Sequence, residues 1–300
     1  MKLQHYNDEQ FMSTLWQNIQ YKVLRSSSKI NLLIGINVIV FLLINISDTI
    51  AKFLFNVYLI GIYSDDYLRL SAFLPKLAYR FWTPFTYMFM HDGIFHILFN
   101  MLWLYWFGQI FEEYLGNKRT LGLYLLGGFA GAALFIASFN IFPFFTHSNA
   151  AIGTSLVGAS ASVMAIMVAT ATLLPDYTIS LMFIGPVKLK WLVLFFIVID
   201  FLGIVGPNAG GELAHLGGGL IGFIYIKQLQ KGHDWIEGIA GLFKSKSKLK
   251  VVAKNTSRNS PDSPRQEEID TILDKISKSG YDSLTRQEKE VLFRASNNEG

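Results

Sequence analysis

Two residues suited to acyl-transfer chemistry sit in apolar stretches of this 300-residue chain: Ser160 in Val157-Gly158-Ala159-Ser160-Ala161-Ser162-Val163, and His215 in Gly210-Gly211-Glu212-Leu213-Ala214-His215-Leu216-Gly217-Gly218. A serine becomes a useful nucleophile when an adjacent base takes its proton. Histidine is the usual base, because its pKa lies near operating pH. His96 and Asn100 stand four apart and share one helix face. Their N–H groups are donors, and beside an activated serine they can hold a developing oxyanion. His91, Ser155, Ser162 and Asp200 complete the polar set in apolar surroundings. The bland alternative is that these side chains are hydrogen-bond glue between helices. A zinc site built on three histidines is a third reading. The five-residue His91–His96 spacing suits one helix face poorly and no cysteine is available, so no metal and no cofactor are expected.

These residues need elements that bring them together below a membrane surface. Hydrophobic residues make up 51% and charged residues 16% of the chain, against a usual quarter charged. With a mean hydropathy of +0.34, this excludes a disordered or nucleic-acid-coating protein for the bulk of the chain. A bilayer-crossing helix needs about 20 apolar residues. Stretches 30–47, 93–111 and 120–175 carry no charged residue, the last being long enough for two spans with a turn near 146–151. Stretch 191–206 carries only Asp200, and 211–226 only Glu212. The expectation is an all-α, polytopic membrane protein with six spans, its lipid partner being the bilayer itself. Residues 1–29 are mixed and polar, unlike a signal peptide.

Lys22, Arg25 and Lys29, then Lys118 and Arg119, Lys188 and Lys190, and Lys227, Lys231 and the run 244–250 flank alternate ends of the spans. The positive-inside rule then puts both termini in the cytoplasm and the long connection 48–92 outside. That connection is aromatic-rich and reads as short interfacial helices; a seventh span at 51–63 is too short. The expected organisation is an N-terminal segment 1–29, a six-span domain 30–229, a basic flexible linker 230–265 and a small helical hairpin 266–300, a place for a cytoplasmic partner. In the hairpin, Ile269, Ile272, Leu273 and Ile276 follow helical spacing, and Thr285 with Glu288 reads as a capping box.

Gly218, Gly219 and Gly222 share the His215 face, and Gly158, Ala159 and Ala161 flank Ser160, so the two helices can approach closely. The stretch His91-Asp92-Gly93-Ile94-Phe95-His96-Ile97-Leu98-Phe99-Asn100, with Gly158-Ala159-Ser160-Ala161 and Ala214-His215-Leu216-Gly217-Gly218 followed by Gly222, resembles the three motifs of the rhomboid family of intramembrane serine proteases, in the same order. The resemblance covers about residues 30–229. It implies a bacterial-type serine endopeptidase of the inner (plasma) membrane, its active site opening outward. It also implies a Ser160–His215 dyad without a third acid, and an oxyanion hole from the Ser160 N–H, His96 and Asn100. His91, Glu112, Trp82, Gly218 and Gly222 would be structural supports, and single-span or polytopic membrane proteins the substrates. An inactive rhomboid-like binder or chaperone is the alternative. Asp200 is expected to bond the loop that follows it. The departures are Ala161 for a glycine, Met164 where many members have a tyrosine on the histidine, and Thr83 where an arginine is common. The fifth span with the Gly- and Pro207-containing connection 203–211 is the expected moving gate.

Overall fold

The computed structural model describes residues 28–181, 185–238 and 266–297. The readings for 1–27 and for the linker from 239 to 265 lie outside the described residues. The chain divides into two compact units, Met1–Lys244 and Ser245–Gly300.

The first unit opens with helix α1, Lys29–Phe55. Ser28 caps it, its Oγ accepting from the Asn31 N–H at 3.2 Å. Glu112 Oε1 accepts from the Lys29 N–H at 2.6 Å, and its Oε2 accepts from the Ser28 hydroxyl. This carboxylate satisfies donors that a helix start leaves unpaired. Helix α1 runs well past the expected residue 47. It stops at Asn56, which adopts the left-handed conformation and donates its N–H to Lys52 O. That stop is why 51–63 is no single helix.

Short helices follow as expected: α2 Leu59–Leu68, α3 Leu74–Tyr79 and α4 Thr83–Thr86. The Arg80 guanidinium clamps the Asp66 carboxylate and carbonyl, and with Lys76 it holds that carboxyl down to about 2. Trp82 Nε1 donates to Tyr67 O at 2.8 Å. Thr83 is buried and its hydroxyl donates to Arg80 O at 2.9 Å, so the threonine leaves no unpaired polar group in the loop.

Helix α5, Ile94–Ile141, is broken at Gly116 (φ 79°, ψ 166°) into two arms. That backbone region is open to glycine. Helices α6 Pro143–Thr146, α7 Ser160–Leu173, α8 Leu189–Gly203 and α9 Ala209–Gln230 complete the unit. Strands β1 Leu70–Ser71 and β2 Ser155–Leu156 pair antiparallel, as do β3 Thr178–Leu181 and β4 Gly185–Lys188. The fold is mostly helical, and these two small ladders qualify the all-α expectation. The second is a hairpin stapled by Asp176, which accepts from Lys190 at 2.8 Å and Lys188 at 2.9 Å. The polar–apolar alternation Thr178-Ile179-Ser180-Leu181 was its sequence signal.

The core sits where α5, α7 and α9 meet. Every residue of α7 from Ala161 to Ala171 is buried. The approach of α9 to α7 is so close that a Cβ on Gly218 would lie 2.0 Å from Ala161 O, and one on Gly222 would lie 2.2 Å from Ala165 O. The Ala161 methyl points elsewhere, to Gly131 of α5, where an added Cβ would be 2.5 Å away. The glycine-to-alanine departure is therefore absorbed by a glycine on another helix.

The outer surface is apolar. Among the described residues, α1 and α5 are long and apolar enough to cross a membrane. In the most apolar window of α1 only 22% is buried within the protein, and Leu43, Phe53, Phe195 and Leu202 are largely exposed. Apolar exposure on this scale exceeds what a water-soluble monomer shows and fits an integral membrane protein.

The second unit contains α10 Gln266–Ser279 and α11 Arg286–Asn297. The capping box is formed: the Thr285 N–H donates to Glu288 Oε2 at 2.7 Å, and the Glu288 N–H donates to Thr285 Oγ1 at 3.4 Å. Lys275 adds an ion pair to Glu288 at 2.8 Å.

Two outcomes follow from this packing. Gly218→Ala is expected to lower the midpoint of thermal unfolding in detergent, because overpacking against backbone costs about 1–3 kcal/mol or more. Gly153→Ala, with nothing within 4 Å of the added methyl, is expected to leave it unchanged. In the second unit, Lys275 and Thr285 hold the Glu288 carboxyl at about 2 against an ordinary 4.5. Its contribution is complete above about 4.5 and is lost as pH falls through about 2. Amide exchange of 285–297 in the full chain should accelerate over that window, and Glu288→Gln should remove the dependence.

Candidate active site

Ser160 is the first residue of α7. Its N–H is one of the donors that a helix start leaves free, at the positive end of the helix dipole. The turn before it needs Gly158, at φ 121°, whose N–H donates to Tyr87 O at 3.0 Å. This turn explains why α7 starts at Ser160 and not near 152, where the apolar pattern begins. Residues 155–156 are engaged in the β1–β2 ladder, and the left-handed glycine then redirects the chain into the bundle.

A cavity of about 550 Å³ opens beside the serine. His96, Asn100, Ser155, Ser160 and His215 all line it. Three separate helices thus deliver the four residues singled out for chemistry to one space. His96 and Asn100 lie on the first arm of α5, one turn apart, with Asn100 Nδ2 donating to His96 O at 2.9 Å. A methyl built on Gly158 would sit 2.8 Å from His96 Nε2 and 3.5 Å from Ser160 Oγ. His96 Nε2 and the serine oxygen therefore face the same small volume.

The two imidazoles take complementary tautomers. His96 Nδ1 accepts from the Asp92 N–H at 3.4 Å, which leaves the proton on Nε2, the nitrogen facing Gly158. His215 Nδ1 lies 3.1 Å from Asp200 Oδ1 and 3.7 Å from Glu212 Oε2. Carboxylate neighbours favour the tautomer with the proton on this nitrogen, in which Nε2 is the acceptor. In each ring the partner of one nitrogen sets the role of the other. In those tautomers His96 presents a donor to the cavity and His215 an acceptor. Ser160 and His215 share the cavity without a direct hydrogen bond among the described residues, a looseness common in ligand-free active sites.

The remaining expectations sort by position. Ser162 is fully buried, 2.9 Å from where a Cβ on Gly128 of α5 would lie, and does not line the cavity. Ser155 lines it but belongs to β2. His91 packs edge-on against His96, ring centres 5.0 Å apart, consistent with support of that ring. Met164 packs near Gly219, one turn along α9 from His215, at 3.5 Å from an added Cβ. Asp200 is a correction: it does not bond the following loop but reaches across to the imidazole on α9. Glu212 was also missed as a neighbour of His215. Its i, i+3 spacing was a legible signal; the Asp200 contact joins two helices and had none.

This geometry belongs with what sequence comparison shows. The rhomboid domain matches residues 78–231. The chain belongs to the rhomboid family. Residues 259–298 match a separate family of unknown function, DUF6576. Relatives include RHOMBOID-like protein 12, mitochondrial, of Arabidopsis thaliana, 32% identical over 51% of this chain and 48% of its own length. RHOMBOID-like protein 1 of the same plant is 30% identical over 51% of this chain and 36% of its own. The chain therefore matches about half the length of these curated relatives or less. The rhomboid match contains all three motif stretches, from His91 to Gly222.

Gly158 is the test of this geometry. Gly158→Ala is expected to cut any serine-dependent activity at least tenfold, because the added methyl enters the space between His96 Nε2 and Ser160 Oγ and the backbone there disfavours a side chain. Labelling of Ser160 by a fluorophosphonate in the folded variant, compared with the parent, checks it.

Proposed function

We propose that this rhomboid-family chain is an intramembrane serine endopeptidase, cleaving peptide bonds in or near membrane-spanning segments of other proteins. The observation that carries the reading is the shared cavity, with Ser160 at a helix start, a base-ready His215 and donor-ready His96 and Asn100 on its walls. Six helical segments cross the bilayer in this reading: α1, the two arms of α5, α7, α8 and α9. Both termini lie on the cytoplasmic side, in line with the basic residues at the span ends. The cavity then opens outward, and the membrane is the bacterial inner membrane.

Helix length supports a serine set below the membrane surface. Fourteen residues of α7 rise about 21 Å, about 9 Å less than the hydrocarbon thickness. With the far end of α7 at the cytoplasmic interface, Ser160 lies below the outer surface, and hydrolysis there needs a water-holding cavity such as this one.

In the reaction, His215 Nε2 takes the Ser160 proton while Oγ bonds to the scissile carbonyl carbon. The carbonyl oxygen becomes an oxyanion held by the Ser160 N–H, His96 Nε2–H and the Asn100 amide. As the C–N bond breaks, His215 returns the proton to the leaving amine. Water then hydrolyses the acyl-enzyme, with His215 again as base. A helical substrate protects its carbonyls, so segments with helix-weakening residues near the outer interface are the preferred targets.

The purified chain reconstituted in vesicles with a single-span substrate is the test. Ser160→Ala and His215→Ala are expected to abolish cleavage, while Ser155→Ala and Ser162→Ala retain it. Asn100→Ala should lower kcat by about 10²–10³ with KM little changed. Cleavage surviving in Ser160→Ala sinks the assignment, and a folded parent that never cleaves favours a binder or chaperone.

A further inference from the structure

Resting on the reading just given, we propose that Asp200 is a positioning residue for His215, making the machinery a serine–histidine–aspartate arrangement with its acid supplied by α8.

Three observations carry this. First, Asp200 is 5% exposed, whereas the apolar residues around it on the same half of α8, Phe195, Val198, Phe201 and Leu202, are exposed. From 194 to 203 it is the one buried position. Phe196 and Ile197 pack only in part on the core, so the carboxylate is the residue that this half of the helix turns fully inward. Second, the inward contact is with the base itself: Asp200 Oδ1 lies 3.1 Å from His215 Nδ1, the nitrogen away from the nucleophile's proton. A carboxylate there fixes the imidazole tautomer and ring orientation and stabilises the imidazolium as it forms. Third, the surroundings hold the pair in place. Glu212 stands 3.7 Å from the same Nδ1, is held by Asn208 Nδ2 at 3.1 Å, and packs where a Cβ on Gly203 would lie 2.8 Å from its Cγ. The end of α8 thus closes on the start of α9 around the acids. Asp200 Oδ2 is buried with no hydrogen-bond partner among the described residues, so the contact of Oδ1 with the imidazole offsets part of the cost of burying this carboxylate.

The proton balance is simple. The Ser160 proton moves to His215 Nε2 as Oγ–C forms, and the Nδ1 proton stays on the ring, shared in a hydrogen bond with Asp200. Asp200 neither gains nor loses a proton.

Asp200→Asn keeps the side-chain shape but presents an amide N–H to Nδ1, favouring the tautomer with the proton on Nε2. We expect kcat to fall by about 10²–10⁴, KM and thermal midpoint to stay near the parent, and Asp200→Glu to recover part of the rate. Asp200→Ala should regain activity at least tenfold when formate is added, since a small carboxylate restores the acceptor and a purely structural defect would not respond. A folded Asp200→Asn turning over within threefold of the parent overturns the proposal. So does an Asp200→Ala enzyme that formate leaves unimproved, which decides the matter if the asparagine variant does not fold. Ser160→Ala is assayed alongside. If the parent cleaves and Ser160→Ala does not, the peptidase reading stands whatever Asp200 shows; if Ser160→Ala still cleaves, that reading fails first.

Discussion

The site depends on one close approach, the backbone of α9 laid against the backbone of α7. At Gly218 and Gly222 there is no room for a side chain: the carbonyl oxygens of Ala161 and Ala165 occupy the places where Cβ atoms would be. Inside a bilayer, apolar burial does not press helices together, and association relies on van der Waals fit and polar contacts. Small residues supply that fit. Because Gly218 is three residues after His215 and Ala161 immediately follows Ser160, the tightest contact between the helices lies within a turn of the two reactive side chains.

The second arm of α5 completes the same packing from another side. Gly127, Gly128 and Gly131 meet Ala165, Ser162 and Ala161 of α7, and Gly131 also meets Ala214 O of α9. The alanine that replaces a glycine beside Ser160 is tolerated because its methyl faces Gly131 and not α9. The break at Gly116 lets a single continuous stretch contribute twice: its first arm brings His96 and Asn100 to the cavity, and its second buttresses α7.

How far this could be read from the residues follows the range of each signal. That His96, Asn100, Ser160 and His215 line one cavity was legible, because i, i+4 spacing for His96 and Asn100 and the small-residue faces around Ser160 and His215 are local patterns. The capping box at Thr285 and Glu288 was legible for the same reason. The stops were less so. Helix α1 overran its apolar run to end at Asn56, and α7 began late because Gly158 and the β2 pairing consume the residues before Ser160; both depend on backbone conformations that hydropathy does not report. The β3–β4 hairpin hid in a connection too short for notice, though the alternation along Thr178–Leu181 was visible. Asp200 was misread because a lone acid near a span end has an ordinary explanation, and its true partner lies on the next helix.

That contact changes how the site's chemistry relates to its scaffold. A two-residue machinery would depend on α7 and α9 alone, whose spacing is locked by glycine against carbonyl. An acid on α8 adds a helix that is held differently: several residues around Asp200 are exposed, Phe196 and Ile197 pack only in part on the core, and the fully buried attachment toward the end of the helix is polar. Displacing α8 by even an ångström or two stretches a 3.1 Å contact beyond hydrogen-bond range, while the α7–α9 packing is untouched. The orientation of His215 is then tied to where α8 stands, and the rigid pair supplies position while the third helix supplies the proton geometry.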